Sequence, residues 1–348
     1  MKVLYVQDLF PPETFGGGEI YSENIIAELR KKGVKFEVVA GTKGKSRTEK
    51  YKGITVHRVN FKPSRYLFNI RAIKKMEEVV EKFKPDIIHG NAMQAAIPAS
   101  LIGDKYKIPS VVNVHFYFQK YYKDYYDPVR AKIFAKVEKY VMKHSYEKII
   151  ALDKYVYDNL KKNKIDSVLI EHPMNVKRFK PSKKPKEFTI GTMMTMGPSK
   201  RNDLFIDLVK KYGSEYKFIT CGKYNQKFEN KLKAAGIKSY GYISHDKMNK
   251  FYNSMHVYFG HGMGAKEAMS CSCVAILNED TERLVKYHIK EISQNVMQKG
   301  DVISIINRLQ YKKYYNKLAK KSSTFIKNNY SNEIIIPKIL KVYKELIK

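Results

Sequence analysis

Short apolar runs alternate with amphipathic stretches along most of this chain, and that alternation narrows its fold more than any other feature. Residues 3–6 form an apolar run, followed by Pro11-Pro12 and Gly16-Gly17-Gly18. Residues 19–32 then place Ile20, Ile25, Ile26 and Leu29 at helical spacing, and Gly33 stops the pattern. Residues 35–40, 54–59, 85–89 and 109–115 read as strands, with helices expected over 74–83 and 95–106. Beyond them, 129–144 reads as a basic helix and 148–152 as a strand. A second run opens at Phe188. Its expected strands are 188–191, 217–221, 256–259 and 274–277. Helices are expected over 203–212, 226–235, from 265 onward, over 302–309 and over 331–347, the last with Ser331 as N-cap and a kink or late start at Pro337. Strands that alternate with helices pair in parallel and build doubly wound sheets. The reading is therefore α/β, with two Rossmann-like halves.

A length of 348 residues suits two domains. Hydrophobic residues at 43% and charged residues at 29% exclude a disordered chain or a fibrous rod. No uninterrupted apolar run reaches about 18 residues, so no membrane-spanning helix is expected. Residues 1–6 enter a strand directly, without the pattern of a secretory leader. Three cysteines, Cys221, Cys271 and Cys273, are too few for a disulfide framework, which points to a reducing, cytoplasmic setting. The net charge of +32 is the unusual number. It predicts a polyanionic partner: an anionic membrane face, nucleic acid or phosphate-bearing substrates. The excess is expected to concentrate in the first half, around 116–143.

The glycine run between the first strand and the first helix lets a ligand approach the backbone closely, and helix N-termini favour phosphate. It lacks the GxGxxG spacing, and a tight turn explains it equally well. Further landmarks make a resemblance specific. Pro12, Gly16-Gly17-Gly18-Glu19 and Gly33 resemble the opening of the GT-B glycosyltransferases of family 4. Pro85-Asp86-Ile87-Ile88-His89 and the strand ending in His115 are similar to the family's next landmarks. Pro173 to Pro181 resembles its interdomain segment, and Gly197-Pro198-Ser199-Lys200 its phosphate-binding stretch. Gly222, Gly241 and Glu267-Ala268-Met269 follow in the family's order.

The resemblance implies a GT-B fold, two Rossmann-like domains facing each other across a cleft. It implies a retaining, metal-independent glycosyltransferase of the hexosyltransferase type, moving a sugar from a nucleoside diphosphate sugar to a lipid-linked or glycan acceptor. The implied boundaries are an acceptor-side domain over 1–176, a linker over 177–186, a nucleotide-sugar domain over 187–328 and a helix over 329–348 returning to the first domain. Implied catalytic residues are His115, touching the transferred sugar, and Lys200, facing the leaving diphosphate. Implied donor contacts are Gly16, Gly17, Gly18, Lys200, Gly222 and Glu267, the last holding the ribose; Gly262, Met263 and Gly264 suit backbone donation to sugar hydroxyls or phosphate, and Arg201 beside Lys200 is a further donor-side candidate. No cofactor or metal is implied. Tyr117, Lys120 and Tyr121 are acceptor-side candidates, in a basic and aromatic stretch that also suits a membrane interface or stacking on bases. The expected location is cytoplasmic, with a peripheral seat on the inner face of a membrane.

The sequence departs from the family pattern at the donor motifs. Thr195 replaces an Arg, Phe259 replaces a Glu, Ser272-Cys273-Val274 replaces Gly-x-Pro, and His172-Pro173 replaces Asn-Gly. Arg201 and His261 are candidates to compensate. A nucleic-acid-modifying glycosyltransferase, a non-catalytic GT-B protein that binds sugar or nucleotide, and a nucleotide-sugar epimerase are the alternative readings.

Overall fold

The computed structural model describes residues 1–13, 16–62, 67–117, 119–124, 126–144, 146–194, 202–260, 262–277, 294–295 and 302–347. The chain divides into two compact units, Met1–Pro173 with Glu333–Lys348, and Met174–Asn332.

The first unit holds β1 (Lys2–Gln7), α1 (Gly17–Arg30), β2 (Lys35–Thr42), β3 (Arg47–Tyr51), β4 (Ile54–Asn60), α2 (Leu67–Phe83), β5 (Ile87–Asn91) and α3 (Met93–Tyr106). It continues with β6 (Ser110–Val114), α4 (Pro128–Met142), β7 (Lys148–Ala151), α5 (Lys154–Lys162) and β8 (Val168–Leu169). The sheet order is β3-β4-β2-β1-β5-β6-β7-β8. Every pairing is parallel except β3 with β4. Strands with an apolar centre, such as Val3–Val6 of β1, are buried on both faces, as parallel sheets covered by helices require. The order reverses between β1 and β5, so the open end of the sheet there is a topological switch point, where such sheets bind ligands.

Strand β3 lies outside the sequence expectation. Its residues, Arg-Thr-Glu-Lys-Tyr, are polar because it is an exposed edge, so no apolar period marks it. It supplies Glu49, which accepts from Arg58 Nε at 2.8 Å. Arg58 is wholly buried and donates to the Phe10 and Pro11 carbonyls at 2.6 Å each. The loop leading to the glycine run is thereby held by a buried guanidinium that bonds through all three of its nitrogens.

The second unit holds β9 (Thr189–Met193), α6 (Asn202–Tyr212), β10 (Lys217–Cys221), α7 (Gln226–Ala234), β11 (Lys238–Ser239), α8 (Met248–Asn253), β12 (Val257–Phe259), α9 (Gly262–Ser270), β13 (Val274–Leu277), β14 (Gln294–Asn295), α10 (Val302–Gln310) and α11 (Lys312–Tyr330). Its parallel sheet runs β11-β10-β9-β12-β13-β14, with a switch point between β9 and β12. The chain passes from one unit to the other at Pro173–Met174, ahead of the expected linker. Segment 177–186 belongs to the second unit, where Phe179 is buried in the core with Tyr252 and Met269.

Helix α12 (Asn332–Leu346) runs on through Pro337 and returns to the first unit. Its Ile335, Ile336, Ile339, Val342 and Tyr343 pack with Val3, Ile25 and Val38. The wide apolar stripe visible in the sequence is buried there. No helix among the described residues is long and apolar enough to cross a membrane.

The charge does not concentrate in the first half. Counting Lys plus Arg minus Asp plus Glu, the first unit carries 36 against 22, or +14, and the second 30 against 12, or +18. Residues 302–332 alone hold seven cations and no carboxylate.

Candidate active site

At the β1/β5 switch point the glycine run starts α1. Glu19, at the third helical position, accepts the Gly16 N–H at 2.8 Å, so the carboxylate caps its own helix. That amide is taken. Gly17 and Gly18, in the first turn, have no partner within the helix for their N–H groups. Ser22 fixes the turn from beneath: its hydroxyl donates to the Gly18 carbonyl at 3.0 Å and also meets Gln7 and Tyr5.

His115 follows the C-terminal end of β6, and its Nε2 lies 2.9 Å from Asn91 Oδ1 at the end of β5. Burial pushes the His115 pKa down to about 4, so the ring is neutral near pH 7. Because Asn91 Oδ1 accepts, the single ring proton sits on Nε2, and Nδ1 offers a lone pair. Asn91 Oδ1 also accepts from Asn113 Nδ2 at 3.2 Å. A methyl group added at Gly18 would lie 3.9 Å from Asn91 Nδ2 and from the His115 ring. The glycine turn, Asn91 and His115 therefore line one small space.

Among the described residues three buried polar atoms there have no hydrogen-bond partner: Asn91 Nδ2, Asn113 Oδ1 and the Tyr21 hydroxyl. Asn113 lies near enough to Tyr21 to offset a little of the upward shift that burial imposes on the phenol, but not in bonding geometry. Buried polar groups are almost always paired, so these orphans mark a place where hydroxyls of a ligand or water complete the bonding. Rings of Tyr21, His115 and His172 close one side, with centroids 4.9–5.2 Å apart. His172 is the residue that departs from the family's interdomain motif, and it sits against the catalytic candidate. Behind this layer His89, also held neutral by burial with its pKa down to about 4, meets the Tyr343 hydroxyl of α12.

The acceptor-side candidates fare differently. Tyr117 is buried in the core with Val112, Val141 and Met142, its phenol pushed up to about 12 by burial and then by Glu138. It is a packing residue rather than a surface contact. Lys120 and Tyr121 lie on a short 3-10 turn, Gln119–Asp124, with side chains outside the described residues. That turn is anchored by Glu138 of α4, which accepts from the Gln119 backbone and side-chain amides at 2.9 and 3.0 Å.

In the second unit, Lys200, Arg201, Thr195 and His261 lie outside the described residues. Gly222 follows β10, and a Cβ there would fall 1.7 Å from the Met194 carbonyl. Its N–H is taken by the Gly241 carbonyl at 2.8 Å. Gly222 is thus a close-approach glycine that lets β10 pass the end of β9, and it has no amide to give a ligand. The glycines expected in a loop before a helix at Ala265 are instead in the helix: α9 begins at Gly262, so Gly262, Met263 and Gly264 form its first turn. Their N–H groups have no partner within the helix, and the helix starts at the C-terminal end of β12. Gly264 is required by the Tyr258 hydroxyl, which a Cβ would meet at 2.4 Å.

Glu267 consequently lies in the second turn of α9, not at a helix start. It is buried, and its two oxygens accept from His245 Nε2 at 2.8 Å and from the Tyr252 hydroxyl at 2.7 Å. Each oxygen keeps a lone pair for a further donor. Phe259, where the family has a second Glu, is core, its ring 5.7 Å from that of Phe205. Cys273 is buried with Lys184 Nζ 3.2 Å from its sulfur. Among the described residues no group of His, Cys, Asp and Glu is arranged to hold a metal.

Residues 15–178 match the model of Glycosyltransferase Family 4, nearly all of the first unit. An uncharacterized glycosyltransferase of Methanocaldococcus jannaschii is 25% identical over 99% of both chains. Sucrose-phosphate synthase from Thermosynechococcus elongatus superposes with a TM-score of 0.79 at 14% identity, over 99% of this chain and 98% of that one. The chain has the GT-B fold, and its residues 15–178 are similar to glycosyltransferase family 4. Its fold is also that of Anabaena HepE, solved with UDP-glucose, with a TM-score of 0.76 at 14% identity over 99% and 100% of the two chains. In this GT-B fold, Tyr21, Asn91 and Asn113 are the site residues without a signal of their own in the sequence, and His172 is marked there only as a departure from the family motif. Only the polar ends of otherwise apolar strands, Asn91 after Ile87-Ile88 and Asn113 within β6, hinted at them.

Proposed function

We propose that this glycosyltransferase takes a nucleoside diphosphate sugar and transfers the sugar, with retention of configuration and without a metal, to a lipid-linked or glycan acceptor. The observation that carries the reading is the neutral polar cluster at the β1/β5 switch point: His115, Asn91, Asn113, Tyr21 and the Gly17–Gly18 amides. It holds unpaired donors and acceptors but no net positive charge. Such a set suits sugar hydroxyls better than phosphate, and Glu19 at the helix start disfavours a diphosphate directly on that turn. In this reading the first unit positions the hexose, and the lone pair on His115 Nδ1 accepts from one of its hydroxyls. The second unit takes the nucleotide. Glu267 accepts from the ribose hydroxyls, the first-turn amides of α9 donate to phosphate, and Lys200 with Arg201 neutralises charge as the diphosphate leaves. Pre-placed cations and amides at the developing charge do the work a metal does elsewhere.

The test is a thermal-shift and calorimetric panel of nucleoside diphosphate sugars with UDP-glucose first, in the presence of a chelator. A specific donor should raise the melting temperature, because a ligand that binds only the native state stabilises it. Product stereochemistry from a turning-over sample then decides retention. Binding that disappears with the chelator removes the metal-free reading. Binding without turnover on any glycan, lipid or duplex DNA acceptor favours a non-catalytic binder, and turnover on DNA alone favours the nucleic-acid reading.

A further inference from the structure

Helix α4 carries two apolar faces. One is buried: Ala131, Glu138, Val141 and Met142 turn inward, and the Glu138 carboxylate is engaged by the 3-10 turn. The other is exposed. Val129, Ile133, Val137 and Tyr140 stand 68%, 52%, 46% and 69% accessible. At about 100° per residue they fall within a sector of roughly 80° on the helix wheel. Scattered exposed apolar side chains are ordinary, but four in one line along one helix are not.

The flanks of this stripe are cationic. Lys132, Lys136, Lys139 and Lys143 project on one side and Arg130 on the other, all exposed. Among the described residues none of the four lysines has an ion-pair partner, and Arg130 pairs only with Asp127, at 3.4 Å. The sole carboxylate within the helix, Glu138, faces inward. An exposed aliphatic and aromatic line bordered by lysines is the pattern of a helix that lies in a lipid headgroup layer. Duplex nucleic acid would use the lysines and leave Val129, Ile133 and Val137 idle. A second copy of this chain, itself at +32, would be repelled.

We infer that the exposed face of α4 seats the first unit on an anionic bilayer, with Val129, Ile133, Val137 and Tyr140 entering the headgroup region and the four lysines over anionic lipid. The inference stands on α4 alone and does not depend on which sugar or acceptor the enzyme uses.

Co-sedimentation of the full chain with vesicles of equal parts phosphatidylglycerol and phosphatidylcholine tests it, against phosphatidylcholine vesicles alone. The chain should partition onto the anionic vesicles only. I133S/V137S should weaken partitioning on the order of tenfold or more through lost apolar burial. K132A/K136A/K139A should weaken it by about a hundredfold. As a control of equal charge, K317A/K320A/K321A on α11 should leave it close to the parent chain. An environment-sensitive fluorophore on V137C should shift to the blue with anionic vesicles, a reading that does not rest on the stability of the other variants. Three results would overturn the inference: no partitioning at low salt, parent-like partitioning of I133S/V137S, or an equal loss in the α11 control. Each means that the charge is diffuse or serves another polyanion.

Discussion

At the β1/β5 switch point of the first unit, the groups that point into the site are uncharged: an imidazole held neutral by burial, two carboxamides, a phenol and two amides. At the β9/β12 switch point of the second unit, the chain offers first-turn amides on α9 and a buried carboxylate, and the β9 to α6 connection brings Lys200 and Arg201 in sequence. One topology, used twice, carries strand-end groups of opposite electrostatic character. Neutral donors and acceptors sort hydroxyls by geometry, whereas cations and helix N-termini recognise charge. The lesson is that a topology can repeat while the residues at its strand ends set a different chemistry each time.

Acidification should separate the units most strongly. His89 and His115 have folded-state pKa values depressed to about 4 from an unfolded value of 6.5. Their contribution is complete above pH 6.5 and is lost as pH falls toward 4. The difference corresponds to roughly 3 kcal/mol for each histidine. Both lie in the first unit, so melting followed between pH 7 and 4 should show its stability falling by about 6 kcal/mol, at least twice the fall expected of the second unit, where burial likewise depresses His256 to about 4. H89N should flatten about half of that decline. A parent and variant with the same pH slope would mean His89 is protonated in the folded state.

Replacing His115 with Ala should next reduce turnover by about a hundredfold or more, the usual effect of removing one group placed at a reacting centre. Affinity for the bare nucleoside diphosphate should stay nearly constant. If nucleotide affinity falls in step with turnover, the assignment of sugar to the first unit and nucleotide to the second fails. Lys200→Ala should act in the opposite sense, weakening donor binding by about 1.5–3 kcal/mol, the value of a charge-assisted hydrogen bond. Calorimetry with donor and with free sugar separates the two.

The smallest effect is expected at Gly17→Ala. A Cβ at Gly17 meets nothing within 4 Å, and the residue is the first of α1. Stability should rise by about 0.5–1 kcal/mol, as for Gly to Ala in a helix. A loss of activity without loss of stability would show that a ligand approaches that atom.

The alternation of strands and helices was legible because parallel strands buried on both faces are continuous apolar runs. Edge strand β3, the polar α5 and the lysine-rich α11 escaped notice for the converse reason: most of their residues face water. His115 and the glycine run were legible from a strand end and a turn. Asn91, Asn113 and Tyr21 were not, since each looks ordinary alone, and the two asparagines gain meaning only when parallel pairing of β5 and β6 sets Asn91 opposite Asn113. Glu267 was found, but its setting was misjudged: glycines normally end helices, and here two of them, Gly262 and Gly264, begin one. Tyr117 was drawn toward the surface by its lysine-rich neighbours, while its own side chain completes a core.

The return of α12 makes the second unit an insertion within the first. Tyr343 reaches His89 across 254 positions of sequence, and the Val3 and Tyr5 core stays open until residues 335–343 have left the ribosome. The unit whose first residues emerge earliest is therefore the one completed last, while 174–332 can close on itself as soon as it is made. During synthesis the polar cluster at the β1/β5 switch point waits for a segment that belongs to neither of its strands, so a chain that stalls short of α12 carries a finished second unit and an unsealed first one.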